Sequence, residues 1–246
     1  MDLIILGSNS AGNCYILKGR TQSLLIEAGV HPKEVKKAMD FDVSSIVGCL
    51  ITHEHGDHFK YVDQIAQMGI DVYASEGTLK EKEDSKFLHR LYTIMPNLYF
   101  HIGEFKIMPF KVNHDAREPL GYLINHLECG NVLFLTDSAY TEYRFPGLNQ
   151  IIVESNNSNE ILKEKVLTGQ MQYFVYGRLI NSHMSIEACE KLLMANDLSK
   201  VTNIVLIHLS DANSHEADFK DRIERTTGKK ITMAAKGTRI NFDLIE

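Results

Sequence analysis

The stretch Thr52-His53-Glu54-His55-Gly56-Asp57-His58 sets three imidazoles and an aspartate in a His-x-His-x-Asp-His order, directly after the apolar run Ile46 to Ile51. A strand that ends in such a turn outlines a two-metal site. Imidazole nitrogens and a carboxylate oxygen suit Zn²⁺, and a catalytic site keeps coordination positions open for water. A histidine-rich loop that merely faces solvent needs no particular spacing, and this one has a demanding spacing.

Two cations need more donors than this turn supplies, and three further positions have the right chemistry. His114 lies just past Phe110-Lys111-Val112, Asp137 just past Val132 to Thr136, and His208 directly after Ile204 to Ile207. Each closes an apolar, strand-length run. Ligands at strand ends sit on rigid elements along a sheet edge, which suits a site that must hold its geometry. A lone strand-end histidine is commonly a structural hydrogen-bonder. Three such positions alongside the first cluster reverse that reading.

The rest of the chain supports one globular domain, 1–246. It has 246 residues, 44% hydrophobic and 24% charged, enough for a sizeable core. Strand-length apolar runs recur at 3–6, 14–17, 24–26, 46–51, 72–74, 105–112, 122–125, 132–135, 151–153, 204–207 and 240–242. Tyr61, Ile65 and Met68 fall on one helical face. Ile186, Cys189, Leu192 and Leu193 do so after His183, and a weaker helix covers 216–225. A hairpin-like early half and a later half alternating strand with helix fit an αββα sandwich of the α/β class. Cys14, Cys49, Cys129 and Cys189 form no Cys-x-x-Cys motif, and Cys49 reads as a buried free thiol. The start carries no signal-peptide pattern and no run is long enough to span a membrane, so the expected compartment is a reducing cytoplasm.

The His53–His58 turn together with His114, Asp137 and His208 resembles the metallo-β-lactamase superfamily in motif, order and spacing. The segment Leu24-Leu25-Ile26-Glu27-Ala28-Gly29 is similar to the family's early strand, with Glu27 where an aspartate is usual, and Glu27 reads as a supporting residue. The resemblance implies the αββα fold and two zinc ions, with Mn²⁺ or another divalent metal as substitutes. It implies that His53, His55 and His114 hold one ion, that Asp57, His58 and His208 hold the other, and that Asp137 bridges them.

That fold hosts many reactions, so function must come from the site. Val153-Glu154-Ser155 and Ser182-His183-Met184-Ser185 resemble the phosphodiesterase branch of the family, in which a glutamate orients a histidine toward the scissile phosphate. The chemistry agrees. Two cations neutralise the growing charge on a phosphodiester and acidify a water, and a histidine near its normal pKa can protonate the leaving alkoxide. Asp57, His183 and Glu154 are therefore the catalytic candidates.

Three substrate classes compete. No tRNA-gripping arm is evident, and the 28 residues between Glu154 and His183 leave no room for the insertion of mRNA-cleaving relatives. Ser8 to Asn13, Val112 to Tyr122 and Ile207 to Ser210 resemble the exonucleases of the WalJ/YycJ type, with Asn156-Asn157 as a departure. Compact relatives of the branch open 3′,5′-cyclic mononucleotides, among them phage enzymes that destroy cCMP and cUMP defence signals. The formal net charge of −6 argues against a ligand gripped through many phosphates. Charge thus favours a cyclic mononucleotide (cCMP, cUMP, cAMP or cGMP) first and an exonuclease second; a thioesterase or lactonase, which would not need Glu154 and His183, is the alternative of a different class. Tyr140, Tyr143, Tyr176 and Asn156 are the candidate substrate contacts. A homodimer is expected to complete so small a pocket.

Overall fold

The computed structural model describes residues 1–244, and in it the apolar runs become fourteen strands in two seven-stranded sheets. The first sheet takes β1 (Asp2–Asn9), β2 (Gly12–Lys18), β3 (Ser23–Ile26), β4 (Ile46–Leu50), β5 (Val72–Ala74), β6 (Leu91–Thr93) and, at its edge, β14 (Arg239–Asn241), in the order β14-β1-β2-β3-β4-β5-β6. β1 to β3 pair antiparallel, and β3 to β6 pair parallel. The second takes β7 (Phe100–Ile102), β8 (Phe105–Lys111), β9 (Leu120–His126), β10 (Gly130–Leu135), β11 (Leu148–Glu154), β12 (Asn203–Ile207) and β13 (Ile231–Met233), in the order β13-β12-β11-β10-β9-β8-β7. Both sheets are mixed and flanked by helices, as the αββα reading requires.

Contacts gather the chain into two compact units. The first comprises Met1–Lys111, Ala116–Gly130 and the chain end from Ala235; the second comprises Val112–Asp115 and Asn131–Ala234. In the first, the β1–β2 hairpin closes where Asn9 Oδ1 accepts from Ala11 N at 2.9 Å, a side chain completing its own turn. α1 (Pro32–Ala38) begins with proline, whose missing N–H costs nothing in a first turn. Its Val35 packs into one buried cluster with Ile16, Leu25, Cys49 and Ile51. α2 (Gly56–Phe59), α3 (Val62–Gln67) and α4 (Glu76–Leu79) follow, and Val62 and Ile65 add to that cluster.

In the second unit β10 to β13 are parallel. Their central runs are buried without alternation, as strands covered on both faces must be. α5 (Asn159–Leu167), α6 (Tyr173–Ser182), α7 (Ile186–Met194) and α8 (Glu216–Thr227) complete it. α7 starts where Ser185 Oγ caps Ala188 N at 3.2 Å, and α8 stops at Gly228 in the left-handed region, φ 66°. Sequence reading passed over β6, β7, β13, α1, α2, α4, α5 and α6. Three-residue strands carry no readable period, and their neighbours in the sheet create them. All four cysteines are free and buried, and burial pushes every thiol pKa up, so none resembles a reactive or ligating thiolate.

Candidate metal centre

In the first unit the site is built at two adjacent strand ends. Ile26 of β3 pairs with Leu50 of β4, so Glu27 and Thr52 emerge side by side. Glu27 is fully buried, and its backbone sits at φ 67°. Thr52 Oγ1 donates to Glu27 Oε1 at 2.6 Å and lies 2.9 Å from His53 Nδ1. With its hydroxyl proton on Glu27, Thr52 accepts from His53 Nδ1, which puts the imidazole lone pair on Nε2 as a ligand needs. The Thr52 amide also donates to Glu27 Oε2 at 3.4 Å, and His58 Nδ1 lies 3.4 Å from Oε1. Burial holds the Glu27 carboxyl above the usual carboxylate range, against the pull of His58 and Thr52. Glu27 therefore orients two of the histidines, the supporting part expected of it.

The turn itself is tight. The His53 and His55 ring centroids lie 4.7 Å apart, those of His53 and His58 4.2 Å apart. His58 Nε2 is 3.3 Å from Asp57 Oδ2. Asn13 Nδ2 lies 3.0 Å from His58 Nε2 and 3.2 Å from Asp57 Oδ2. Sequence reading quoted Asn13 in a motif but did not connect it with His58, because the contact bridges 45 positions. A Cβ on Gly29 would stand 1.6 Å from the Asp57 carbonyl oxygen, so only glycine lets the chain after β3 pass under the turn.

In the second unit three parallel strands deliver their carboxyl ends to one edge. Leu135 pairs with Val153 and Glu154 with Ile207, which brings Asp137, Glu154 and His208 together. Asp137 and His208 adopt positive φ, 45° and 54°. With Glu27 they are three of the six non-glycine residues in that region among the described residues, and such backbone strain collects at functional sites. Asp137, Glu154, His183 and His208 each offer a donor atom, all within 4.8 Å of one another.

Glu154 is the hub. Its Oε1 lies 2.7 Å from His183 Nδ1 and 3.0 Å from His208 Nδ1, and its Oε2 accepts from Ser138 N at 3.1 Å and Met184 N at 2.9 Å. Burial would raise its pKa, but His183 and the hydrogen bonds outweigh that and hold it below the usual range. Burial would likewise lower His183, and the Glu154 carboxylate more than offsets it, holding that imidazole above the ordinary histidine value. His208 Nδ1 also lies 2.8 Å from Asp137 Oδ1. His114 Nδ1 donates to Ser182 O at 2.7 Å, at the end of α6, and its Nε2 is 3.7 Å from Asp137 Oδ2. Burial keeps His114 below the ordinary value and so neutral, the form in which imidazole ligates.

Within each unit, then, the expected ligands lie near one another: His53, His55, Asp57 and His58 in the first, and His114, Asp137 and His208 in the second, where the expected catalytic pair Glu154 and His183 stands beside them. Imidazole nitrogens and carboxylate oxygens fit zinc or another borderline divalent cation. The substrate candidates divide. Tyr140 and Tyr143 line a groove of about 450 Å³ in the second unit. Tyr176 stands on α6 beside Tyr173, ring centroids 5.9 Å apart, and is not among that groove's walls. Asn156 differs from the expectation of a substrate contact: it is buried, and its amide donates to His208 O at 2.9 Å, which makes it a support for that backbone.

Residues 24–209 match the β-lactamase superfamily domain, about three quarters of the chain. The chain belongs to the β-lactamase superfamily. Superfamily relatives include the exodeoxyribonuclease WalJ of Streptococcus pneumoniae, 28% identical over 98% of this chain and 92% of that one. The exodeoxyribonuclease YycJ of Bacillus anthracis is 28% identical over 85% of this chain and 83% of its own. Among solved structures, the metallo-β-lactamase fold protein YhfI of Bacillus subtilis superposes with a TM-score of 0.74 at 15% identity, covering 97% of this chain and 98% of that one. The protein is accordingly a hydrolase of the metallo-β-lactamase fold with His/Asp clusters suited to a metal. Among the described residues no helix is long and apolar enough to cross a membrane.

Proposed function

We propose that this hydrolase is a metal-dependent exonuclease acting on DNA ends. The observation that carries the reading is likeness along almost the whole chain to two exodeoxyribonucleases, together with the Glu154–His183 pair at 2.7 Å. This reverses the order that net charge suggested. An enzyme that works at a strand end contacts few phosphates, and the scissile one is neutralised by metal, so a balance of −6 is no obstacle.

In this reading His53, His55, Asp57 and His58 of the first unit and His114, Asp137 and His208 of the second would be the ligands of two divalent cations. The cations, zinc or manganese, supply charge neutralisation at the phosphate and an acidified water. The remaining work belongs to the chain. Glu154 fixes the His183 imidazole with its Nδ1 proton on the carboxylate side, leaving Nε2 to deliver a proton to the departing alkoxide. Tyr140 and Tyr143 face the nucleobases. Exposed Tyr173 and Phe174 on α6, 76% and 70% accessible, support a homodimer joined across that helix; sedimentation showing only monomer at micromolar concentration would remove that part.

The test is a panel of end-labelled single- and double-stranded DNA and RNA, 3′,5′-cyclic mononucleotides and bis-p-nitrophenyl phosphate. Progressive shortening of DNA, abolished by chelator and by His183→Ala with metal content retained, is the expected result. Hydrolysis of cyclic mononucleotides with DNA left intact would restore the small-substrate reading.

A further inference from the structure

Two segments leave the donor cluster of the second unit together. Ser138 to Arg144 follow Asp137, and Met184 onward follow His183. Both are tied to Glu154, through Ser138 N and Met184 N. Between them lies the groove of about 450 Å³, within the size range of small-ligand sites. Its walls carry Tyr140, Tyr143, Arg144, Asn159, Ser185 and Lys191.

Three features of this groove point to one ligand chemistry. Arg144 and Lys191 are exposed and in no ion pair among the described residues, and the wall also carries the exposed Glu142 carboxylate, so its cations outnumber its uncommitted carboxylates by two to one. Glu187, also on the wall, is committed elsewhere: Oε1 accepts from Arg222 Nη1 at 3.3 Å and Oε2 from Asn159 N at 3.2 Å. Tyr140 is 53% accessible, and the Tyr143 ring stands 6.3 Å from that of Phe145, which is buried. Aromatic faces beside unpaired cations are the means by which proteins hold single-stranded nucleic acid without reading its sequence.

We propose that this groove binds the unpaired strand next to the scissile phosphate, with Tyr140 and Tyr143 against bases and Arg144 and Lys191 on two backbone phosphates. The assignment rests on the exonuclease reading. It makes the substrate single-stranded where it meets the enzyme, and it makes Tyr143, Arg144 and Lys191 determinants of affinity for polymer.

The experiment measures binding of a fluorescein-labelled, phosphorothioate-linked oligo(dT) to metal-loaded protein across a salt series, with digestion of ordinary oligo(dT) in parallel. Each phosphate contact contributes about 0.7 to the slope of log affinity against log salt for single strands. Arg144→Gln with Lys191→Gln should lower the slope by about 1.4, and Arg144→Lys should keep its share. Tyr143→Ala should weaken binding roughly fivefold to a hundredfold. Lys33→Gln with Lys36→Gln, on the separate groove beside His31 and Met68, should change neither quantity. A wild-type slope in the Arg144/Lys191 variant, with DNA still digested, overturns the groove and leaves the exonuclease standing. A wild-type protein that hydrolyses bis-p-nitrophenyl phosphate but neither binds nor digests DNA overturns the exonuclease reading, and the groove with it.

Discussion

Replacing Glu154 by glutamine changes no volume and separates what this carboxylate does for the fold from what it does for His183. The carboxylate takes four contacts: two backbone amides on Oε2, and the Nδ1 atoms of His183 and His208 on Oε1. Glutamine keeps one acceptor oxygen. The backbone amides can only donate, so that oxygen must serve Ser138 and Met184, and the new NH₂ must face the imidazoles. His208 retains Asp137 Oδ1 at 2.8 Å. His183 has no such reserve, since its Nδ1 lies 4.0 Å from Asp137. It must turn Nδ1 into an acceptor and carry its proton on Nε2 without an anion behind it. One charge-assisted hydrogen bond is therefore replaced by a neutral one, a loss of about 1–1.5 kcal/mol, which lowers the Tm by about 2–6 °C in a chain of this size. Metal content, read by elemental analysis, should stay at the wild-type level, while the rate of DNA digestion falls by roughly 10²–10⁴, the range of a general acid's contribution. Glu154→Gln with full metal and near wild-type digestion would refute the claim that Glu154 works through His183.

Gly29→Ala forces a Cβ to within 1.6 Å of the Asp57 carbonyl oxygen and 2.7 Å of Asn13 N, both backbone atoms. The His53–His58 turn must then move by roughly 1.5 Å or more to reach van der Waals distance, and metal content should drop sharply; full metal loading would show that the turn yields without harm. Glu190 is held below the usual carboxylate range by its hydrogen bonds to Arg222 and Thr226. A depressed native pKa stabilises above the unfolded value of about 4.3 and is lost as pH falls through the native one. Glu190→Gln should therefore cost about 1 kcal/mol or less at neutral pH, the pair being partly solvated, and its gap to wild type in denaturant titrations should be smaller at an acid pH at which the native carboxylate takes up its proton. An equal gap at both pH values would contradict that account.

The strand-end logic carried over from sequence to structure at particular residues. His114, Asp137 and His208 each close an apolar run, and because β10, β11 and β12 pair in parallel, runs of similar length end at a common edge. The helix of Ile186, Cys189, Leu192 and Leu193 was equally legible, since its buried face repeats at the helical period. α6 was not. Its Tyr173, Phe174 and Tyr176 read as an aromatic run, and nothing local indicates that the helix ends where Ser182 O meets His114. Asn156 was misplaced for a related reason: a polar residue beside a catalytic strand end reads as a substrate contact, and only the fold shows its amide turned to His208 O.

By itself the sequence determined the donor chemistry, the order of ligands along the chain and the sheet-and-helix class, because these depend on residue type, spacing and local periodicity. The tertiary structure alone decided that Asn13 meets His58, that His208 joins His183 on Glu154 Oε1, and that the segments after Asp137 and His183 wall a common groove. The first two contacts join positions 45 and 54 residues apart, and only strand register and burial bring such positions together.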